Sequence, residues 1–168
     1  GQGVAAAAKA YGGQVMVAER DPARRLQAAY DGWHVVDIDD VIASTDVVAT
    51  ATGAKKVVSA TLLDKAKDGI FVLNVGHVAE EIDCEYLKQY PTEEVMPFIN
   101  AYQLNGKTLY LMANGSMLNL TAGFGDSLNA FDVTLAVMAS GIKHIVTDGQ
   151  QAEKAIYLLP QSVWEKAL

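Results

Sequence analysis

Three residues near the start of the chain have types and spacing that suit the binding of a dinucleotide. Gly1 and Gly3 lead directly into an alanine-rich stretch, and Glu19 ends the apolar run that follows. A glycine-rich turn lets the backbone approach a pyrophosphate at a helix N-terminus. An acid roughly 20 residues further on accepts hydrogen bonds from the ribose hydroxyls.

The acid also favours NAD over NADP, because its carboxylate repels a 2′-phosphate. Three arginines that follow Glu19 leave NADP open. The alternative interpretation is that the two glycines form a flexible start and that Glu19 is a solvated strand end. The order of glycine turn, helix, strand and acid favours dinucleotide binding.

A second candidate site is the stretch VLNVGHVAEEID. An apolar run stops at Asn74, and a lone histidine, His77, follows Gly76. Taken as an isolated histidine, His77 is expected to cap the acidic turn behind it. We predict that the acids that follow form a solvated turn and the start of a helix; they are Glu80, Glu81 and Asp83.

The elements that must position these residues alternate along the chain. Short apolar runs, among them QVMVAE, WHVVDI, DVVATAT and IFVLNV, are separated by stretches with helix signals. Runs of this kind indicate a parallel sheet that is covered on both faces. Because parallel strands deliver their carboxyl ends to one edge, the turns after DVVATAT and IFVLNV are expected to converge on a single crevice.

The later part of the chain has a different character. Asn105-Gly106 lies between two apolar runs and predicts a hairpin with a tight type I′ turn. We predict an apolar helix over residues 126–140, followed by helical segments that Pro160 interrupts. No linker divides the chain, so residues 1–168 are predicted to form one domain.

Composition excludes several classes of function. The 168 residues carry a net charge of -7 with a pI near 4.8, which argues against a nucleic-acid partner. No apolar run approaches the roughly 20 residues of a membrane span, so no membrane partner is expected. The single cysteine, Cys84, agrees with a cytoplasmic location. The histidines lack partners at ligand spacing, so no metal site is expected.

Four stretches in a fixed order carry a resemblance to a known family. They are VAERDPARRLQAAYDGWHV, DVVATATGAKKVV, KDGIFVLNVGHVAEEID and NGKTLYLMANGSMLNL. Together they resemble the cofactor domain of S-adenosylhomocysteine hydrolase (adenosylhomocysteinase). The likeness runs from Gly1 to nearly the last residue, and it is the combined order that makes it specific.

The resemblance implies a fold and a set of site residues. The fold is α/β, with a doubly wound parallel sheet of the Rossmann type, a β-hairpin insertion and C-terminal helices. The family's first strand is missing ahead of Gly1, so the domain is expected to be truncated at its N-terminus. His77 would lie between cofactor and substrate. The cofactor-binding residues that the resemblance implies are Gly1, Gly3, Glu19, Thr50, Thr52, Gly53, Asn74, Val75, Gly76, His77 and Asn119.

The resemblance also implies a cofactor, a substrate and a reaction. NAD would oxidise the ribose 3′-hydroxyl of S-adenosylhomocysteine or a related nucleoside; homocysteine is then eliminated, water adds, and the stored hydride returns. The family's acid and base residues sit mostly in a substrate domain that is absent here. No catalytic residue is therefore expected in this chain, and the chain alone is expected to be inactive. It would work as a homo-oligomer or in an assembly with a missing chain segment.

The chain departs from the family pattern at two positions that bear on activity. Ala54 stands where the family has an asparagine, and Asp126 stands where it has a histidine. Three hypotheses follow. The first is a cofactor-domain portion of an adenosylhomocysteinase. The second is a diverged NAD-binding relative that acts on another nucleoside thioether or on none. The third is a dehydrogenase of the D-2-hydroxyacid kind, which would need an Arg, Glu and His set that the later strands lack.

Overall fold

The chain consists of two compact units. The computed structural model describes residues 1–123, 125, 128–149 and 153–165. The first unit spans Gly1–Gly123 and the second Phe124–Leu168. All the strands lie in the first unit, as far as the chain is described.

The first unit alternates helices with parallel strands up to Asn74, and three consecutive strands follow further on. Its helices are α1 (Gln2–Ala10), α2 (Pro22–Tyr30), α3 (Ile38–Val41), α4 (Ala60–Lys65), α5 (Cys84–Leu87) and α6 (Leu118–Thr121). Its strands are β1 (Met16–Ala18), β2 (His34–Val36), β3 (Val47–Thr50), β4 (Ile70–Asn74), β5 (Thr92–Met96), β6 (Ile99–Leu104) and β7 (Lys107–Met112). The chain is thus α/β, with a Rossmann-like sheet in which parallel pairs dominate, and the predicted fold class is confirmed.

The strands form two sheets rather than one. β1 and β2 make a parallel pair, and the larger sheet has the order β3-β4-β7-β6-β5. Within residues 1–123, no strand joins β1 to β3. Each of these two strands therefore has a free edge, where backbone N–H and C=O groups lack ladder partners. The side chain of Val47 on β3 is half exposed.

The predicted hairpin is confirmed, and it belongs to the larger sheet. Asn105 and Gly106 both have positive φ, 51° and 86°, as a type I′ turn requires. β7 pairs antiparallel with β6 and parallel with β4, so the hairpin extends the sheet. The sequence analysis missed β5, whose residues are all exposed. An edge strand of this kind shows no alternation of polar and apolar residues.

The core of the first unit lies around β4 and β7. The side chains of Ile70, Val72, Leu109 and Leu111 are almost completely buried. They pack with side chains from α4, from α5 and from the segments that flank the sheet; these include Ile42, Val58, Leu63, Ile82 and Leu87. Because both faces of β4 are covered, the continuous apolar run IFVLN reads as a buried parallel strand.

The described part of the second unit contains two helices. The long helix α7 spans Leu128–Thr147, and the short helix α8 spans Gln161–Trp164. The predicted helix over residues 126–140 is thus present and runs further than expected, while α8 begins directly after Pro160. Asp126 lies outside the described residues. None of the described helices combines the length and the apolar character needed to cross a membrane.

Candidate cofactor site

The site is built where β3 and β4 end side by side. Thr50 and Asn74 are the last residues of the two strands and are partners in the parallel register. The N–H of Val75 continues this ladder and donates to the Thr50 carbonyl at 2.8 Å. The turns that follow the two strands therefore leave the sheet together, as the predicted crevice requires.

The side chain of Asn74 joins three segments of the chain. Its Oδ1 accepts from the Thr50 hydroxyl at 3.2 Å and from the Gly76 N–H at 2.7 Å. Its Nδ2 donates to the carbonyls of Val78 at 2.9 Å and Gly115 at 3.0 Å. A primary amide offers two donors and two acceptor positions, so this buried side chain is fully used inside the protein. Asn74 therefore shapes the site rather than presenting its amide to a ligand.

Glu81 is the residue of this region that the sequence analysis placed wrongly. We predicted a solvated turn, but the Glu81 side chain has no exposed surface and Asp83 is also buried. The Glu81 carboxylate accepts from the N–H groups of Thr52 at 2.9 Å and Gly53 at 2.7 Å, and from the Thr52 hydroxyl at 2.8 Å. These donors lie 28 and 29 residues away in sequence, so no local pattern reveals them.

The Glu81 carboxylate is held as an anion by donors rather than by a cation. No ion pair to it occurs in the described part of the chain. Burial raises the pKa of the Glu81 carboxyl, but the N–H groups of Thr52 and Gly53 and nearby threonine hydroxyls lower it more. The resulting pKa lies below the usual value, because hydrogen bonds to the charged form favour that form.

The imidazole of His77 lies against the turn that follows β3. A Cβ atom built on Gly53 would stand 3.1 Å from Cε1 of His77, closer than ordinary van der Waals contact. Gly53 also has a φ of 69°, a conformation that favours glycine. His77 is exposed, so its ring is accessible to a ligand at this sheet edge.

Further contacts fix the two turns to each other. The Lys56 N–H donates to the Glu80 carbonyl at 2.7 Å, and the Val58 N–H donates to the Glu81 carbonyl at 3.0 Å. The Lys56 ammonium also pairs with the largely buried carboxylate of Asp83 at 3.0 Å. Residues 52–58 and 75–83 therefore form one hydrogen-bonded unit, which we call the double turn.

A third segment, which follows β7, lies at the same end of the sheet. Met117 forms an isolated parallel bridge with Asn74. Asn119 lies two residues further on, exposed at the start of α6. No hydrogen bond joins Asn119 to His77 within the described residues. The structure thus brings Thr50, Thr52, Gly53, Asn74, Gly76 and His77 into direct contact with one another or with Glu81. Asn119 follows the bridge of Met117 to Asn74 by two residues.

The glycine start lies beside the double turn, and the predicted ribose acid directly follows β1. A Cβ built on Gly1 would stand 3.7 Å from that of Ala51, so α1 begins beside the turn after β3. No side chain caps α1, and a Cβ on Gly3 would meet no atom within 4 Å. Glu19 is half buried after β1, where its Oε1 accepts from the Asp21 N–H at 2.9 Å. Its Oε2 has no partner in the described residues.

These features fit a dinucleotide. The uncapped start of α1 offers N–H groups with open space around Gly3, and within the described residues only one carboxylate oxygen of Glu19 accepts a hydrogen bond. By contrast, the described residues contain no group of three acids, histidines or cysteines that could hold a metal ion. A family model described as the S-adenosyl-L-homocysteine hydrolase NAD-binding domain matches residues 1–125.

The chain belongs to the S-adenosyl-L-homocysteine hydrolase family.

As the NAD-binding domain of this family, the chain has NAD as its cofactor, in agreement with the prediction from Gly1, Gly3 and Glu19. The family is the one that the first of the three hypotheses names. Glu81, which the sequence analysis did not include in the site, is the additional residue that the geometry contributes.

Relatives of the family match almost the whole chain. An S-inosyl-L-homocysteine hydrolase of Methanopyrus kandleri is 33% identical over 167 residues, which cover 97% of this chain and 39% of the relative. An adenosylhomocysteinase of Saccharolobus solfataricus is 32% identical over 166 residues, covering 97% and 40%. One of Sulfolobus acidocaldarius is 34% identical over 169 residues, covering 99% and 41%. The chain thus spans about two fifths of the length of these curated relatives.

Proposed function

We propose that this chain is the cofactor-binding part of an enzyme that reversibly hydrolyses S-adenosylhomocysteine, or a close nucleoside analogue, to a nucleoside and homocysteine. The observation that carries the proposal is the double turn, which sets an exposed histidine against Gly53 at the carboxyl edge of a Rossmann-like sheet. NAD bound in such a site can oxidise a ribose hydroxyl. The chain's own residues hold and orient the cofactor.

The roles proposed for the site residues follow from their contacts. The backbone of Gly1 and Gly3 faces the pyrophosphate, because the start of α1 has unpaired N–H groups there. Glu19 binds the adenosine ribose through the oxygen that the Asp21 N–H leaves free.

The nicotinamide end is assigned to the double turn. Its exposed residues Thr52, Gly53 and His77 would contact the ring directly, together with Asn119 of α6. The less exposed members of the predicted set hold these residues in place. Thr50 and Asn74 hydrogen bond to each other, and Val75 and Gly76 form the turn that carries His77. No general acid or base is assigned in this chain.

The base of the nucleoside is left open between adenine and hypoxanthine. The relatives include both an S-inosyl-L-homocysteine hydrolase and adenosylhomocysteinases, at 33% and 32% identity. These identities are too similar to favour one base. Both substrates share the ribose and the thioether, which are the parts that react, so the same NAD site serves either.

We further propose that segments beyond this chain complete the enzyme. The chain spans about 40% of its relatives, which leaves room for a substrate domain that supplies the acid, base and lysine groups. A parallel strand ahead of Gly1 would fill the gap between the free edges of β1 and β3. This strand would join the two sheets into one and bury the exposed side of Val47.

We also propose that copies of the protein associate, in the cytoplasm. The support for association is a stripe of exposed apolar side chains on α7 with the 4-3-4-3 spacing of a helix–helix seam: Phe131, Leu135, Met138, Ile142 and Ile145. The support for a cytoplasmic location is the free thiol of Cys84. Sedimentation of the protein, and of a variant with Met138→Glu and Ile142→Glu, checks the association.

The proposed reaction is tested with the protein in its full natural length and loaded with NAD. Homocysteine release from S-adenosylhomocysteine and from S-inosylhomocysteine is followed with a thiol reagent. Release from either substrate supports the proposal, and the faster substrate identifies the base. Binding of NAD without release from either would contradict it. A His77→Ala variant that keeps full activity would contradict the assignment of the nicotinamide end.

A further inference from the structure

Glu81 connects the two turns that carry the proposed nicotinamide contacts. Its carboxylate takes the N–H groups of Thr52 and Gly53 and the hydroxyl of Thr52, each within 2.9 Å. Its own backbone belongs to the other turn, where its carbonyl accepts from Val58. One side chain therefore decides where the turn after β3 lies relative to the turn after β4.

The carboxylate also fills the space that faces Gly76. A Cβ atom built on Gly76 would overlap it, with a distance of only 2.9 Å to Cδ of Glu81. Glu81 is thus enclosed between Gly76 on one side and the turn of Thr52 and Gly53 on the other. His77 follows Gly76 directly, and its ring contacts Gly53. The position of the His77 ring against Gly53 therefore depends on the carboxylate between their turns.

Replacing the Glu81 carboxylate by a neutral amide would break some of its hydrogen bonds. All the donors that face it are N–H and O–H groups, and a glutamine would turn an NH₂ group towards some of them. A buried donor left without an acceptor costs free energy, and hydrogen bonds to a charged group are the stronger kind. The donors of the turn after β3 therefore require an anionic side chain in which both oxygens accept hydrogen bonds.

We propose that Glu81 is the positioning residue of the nicotinamide end, which sets Gly53 and His77 at the separation that the ring of NAD needs. The proposal rests on the proposed function in that it takes the double turn as the nicotinamide end. Glu81 contacts neither cofactor nor substrate in this assignment. It acts through Thr52, Gly53 and the turn that carries His77.

The test compares two ligands that differ only at the relevant end. ADP-ribose has the adenosine, the pyrophosphate and both riboses of NAD but lacks the nicotinamide. The protein in its full natural length, freed of bound nucleotide, is titrated by calorimetry with NAD and with ADP-ribose, as wild type and as Glu81→Gln. The matched control is Glu80→Gln, which removes the same charge from an adjacent, exposed side chain.

We expect Glu81→Gln to weaken NAD about tenfold or more and to change the affinity for ADP-ribose by less than about twofold. Glu80→Gln is expected to leave both affinities unchanged. Equal weakening of both ligands would show that Glu81 only holds the fold, and an unchanged affinity for NAD would show that it is dispensable. Either result overturns the proposal.

The design separates this proposal from the function on which it rests. Wild-type protein that binds neither ligand would contradict the NAD site itself, whereas a selective loss in Glu81→Gln is readable even if no substrate is turned over. Should Glu81→Gln fail to fold, Glu81→Asp replaces it. Aspartate keeps the charge but is one methylene shorter, so the same selective loss of NAD affinity is expected, and its absence counts against the proposal.

Discussion

Gly76 and Glu81 lie so close together that only a hydrogen atom fits between the Gly76 Cα and the Glu81 carboxylate. They are five positions apart in the turn after β4, and the contact fixes the backbone of Gly76 and the side chain of Glu81 against each other. Since the carboxylate is itself held by Thr52 and Gly53, neither partner can move aside without breaking hydrogen bonds.

We therefore expect Gly76→Ala to destabilise the protein by about 1–3 kcal/mol, the usual cost of overpacking a well-filled interior. The free energy of unfolding in urea measures this. Gly3→Ala is the matched control, because a methyl group there meets no atom and alanine favours the helix that Gly3 belongs to. It should be neutral or slightly stabilising. A Gly76→Ala variant as stable as wild type would contradict the packing described here.

Asn74→Asp should destabilise the protein more than its small change in shape suggests. The substitution replaces the donor group that faces the carbonyls of Val78 and Gly115 by a carboxylate oxygen, and two acceptors would then oppose each other in a buried place. We expect a loss of about 3 kcal/mol in the free energy of unfolding.

The control for Asn74→Asp is the same chemical change at an exposed position. Asn119→Asp adds one negative charge at the surface of α6, where water solvates it, and should cost less than about 0.5 kcal/mol. Equal losses in the two variants would show that net charge, rather than the buried hydrogen bonds of Asn74, is responsible.

Glu19→Ala should weaken NAD by about 1–3 kcal/mol, the range for a lost hydrogen bond to a charged group. It should also reduce the preference for NAD over NADP, because the carboxylate that repels a 2′-phosphate is gone. Calorimetric titration with both nucleotides measures this. Glu93→Ala, an exposed acid on the edge strand β5, serves as control. Equal affinity of the wild-type protein for NAD and NADP would exclude Glu19 as the selecting residue.

The stabilisation that comes from Glu81 should disappear in acid. The pKa of the Glu81 carboxyl is lower in the folded protein than its ordinary value of 4.5, so the unfolded chain takes up the proton first as the pH falls. The contribution of Glu81 is thus fully present above pH 4.5 and is lost as the pH falls through the folded-state pKa.

The measurement is the difference in unfolding free energy between wild type and Glu81→Gln as a function of pH. The other acidic side chains titrate in both proteins, so their contributions to the unfolding free energy cancel in this difference. It should be constant near neutral pH and shrink below pH 4.5. A difference that grows in acid would mean that the folded state binds the proton more tightly than the unfolded state, contrary to the hydrogen bonds seen.

The local features of the site could be predicted because short stretches encode them. The apolar run before Asn74 ends a buried strand, which places His77 at the carboxyl edge of the sheet. The pair Asn105-Gly106 contains residues that tolerate positive φ, and the hairpin follows from it. In both cases the determining interactions lie within a few residues, where spacing and residue type carry the information.

The sequence by itself thus determined the strand that ends at Asn74, the hairpin at Asn105-Gly106 and the membership of a dinucleotide-binding class. Only the tertiary structure decided that Glu81 is buried. It also decided that the side-chain amide of Asn74 makes all its hydrogen bonds within the protein. AEEID reads as a polar turn, and the donors that make burial of its second glutamate favourable belong to Thr52 and Gly53, more than 25 residues earlier. A polar group is stable inside a protein when partners reach it, and those partners come from wherever the fold brings them.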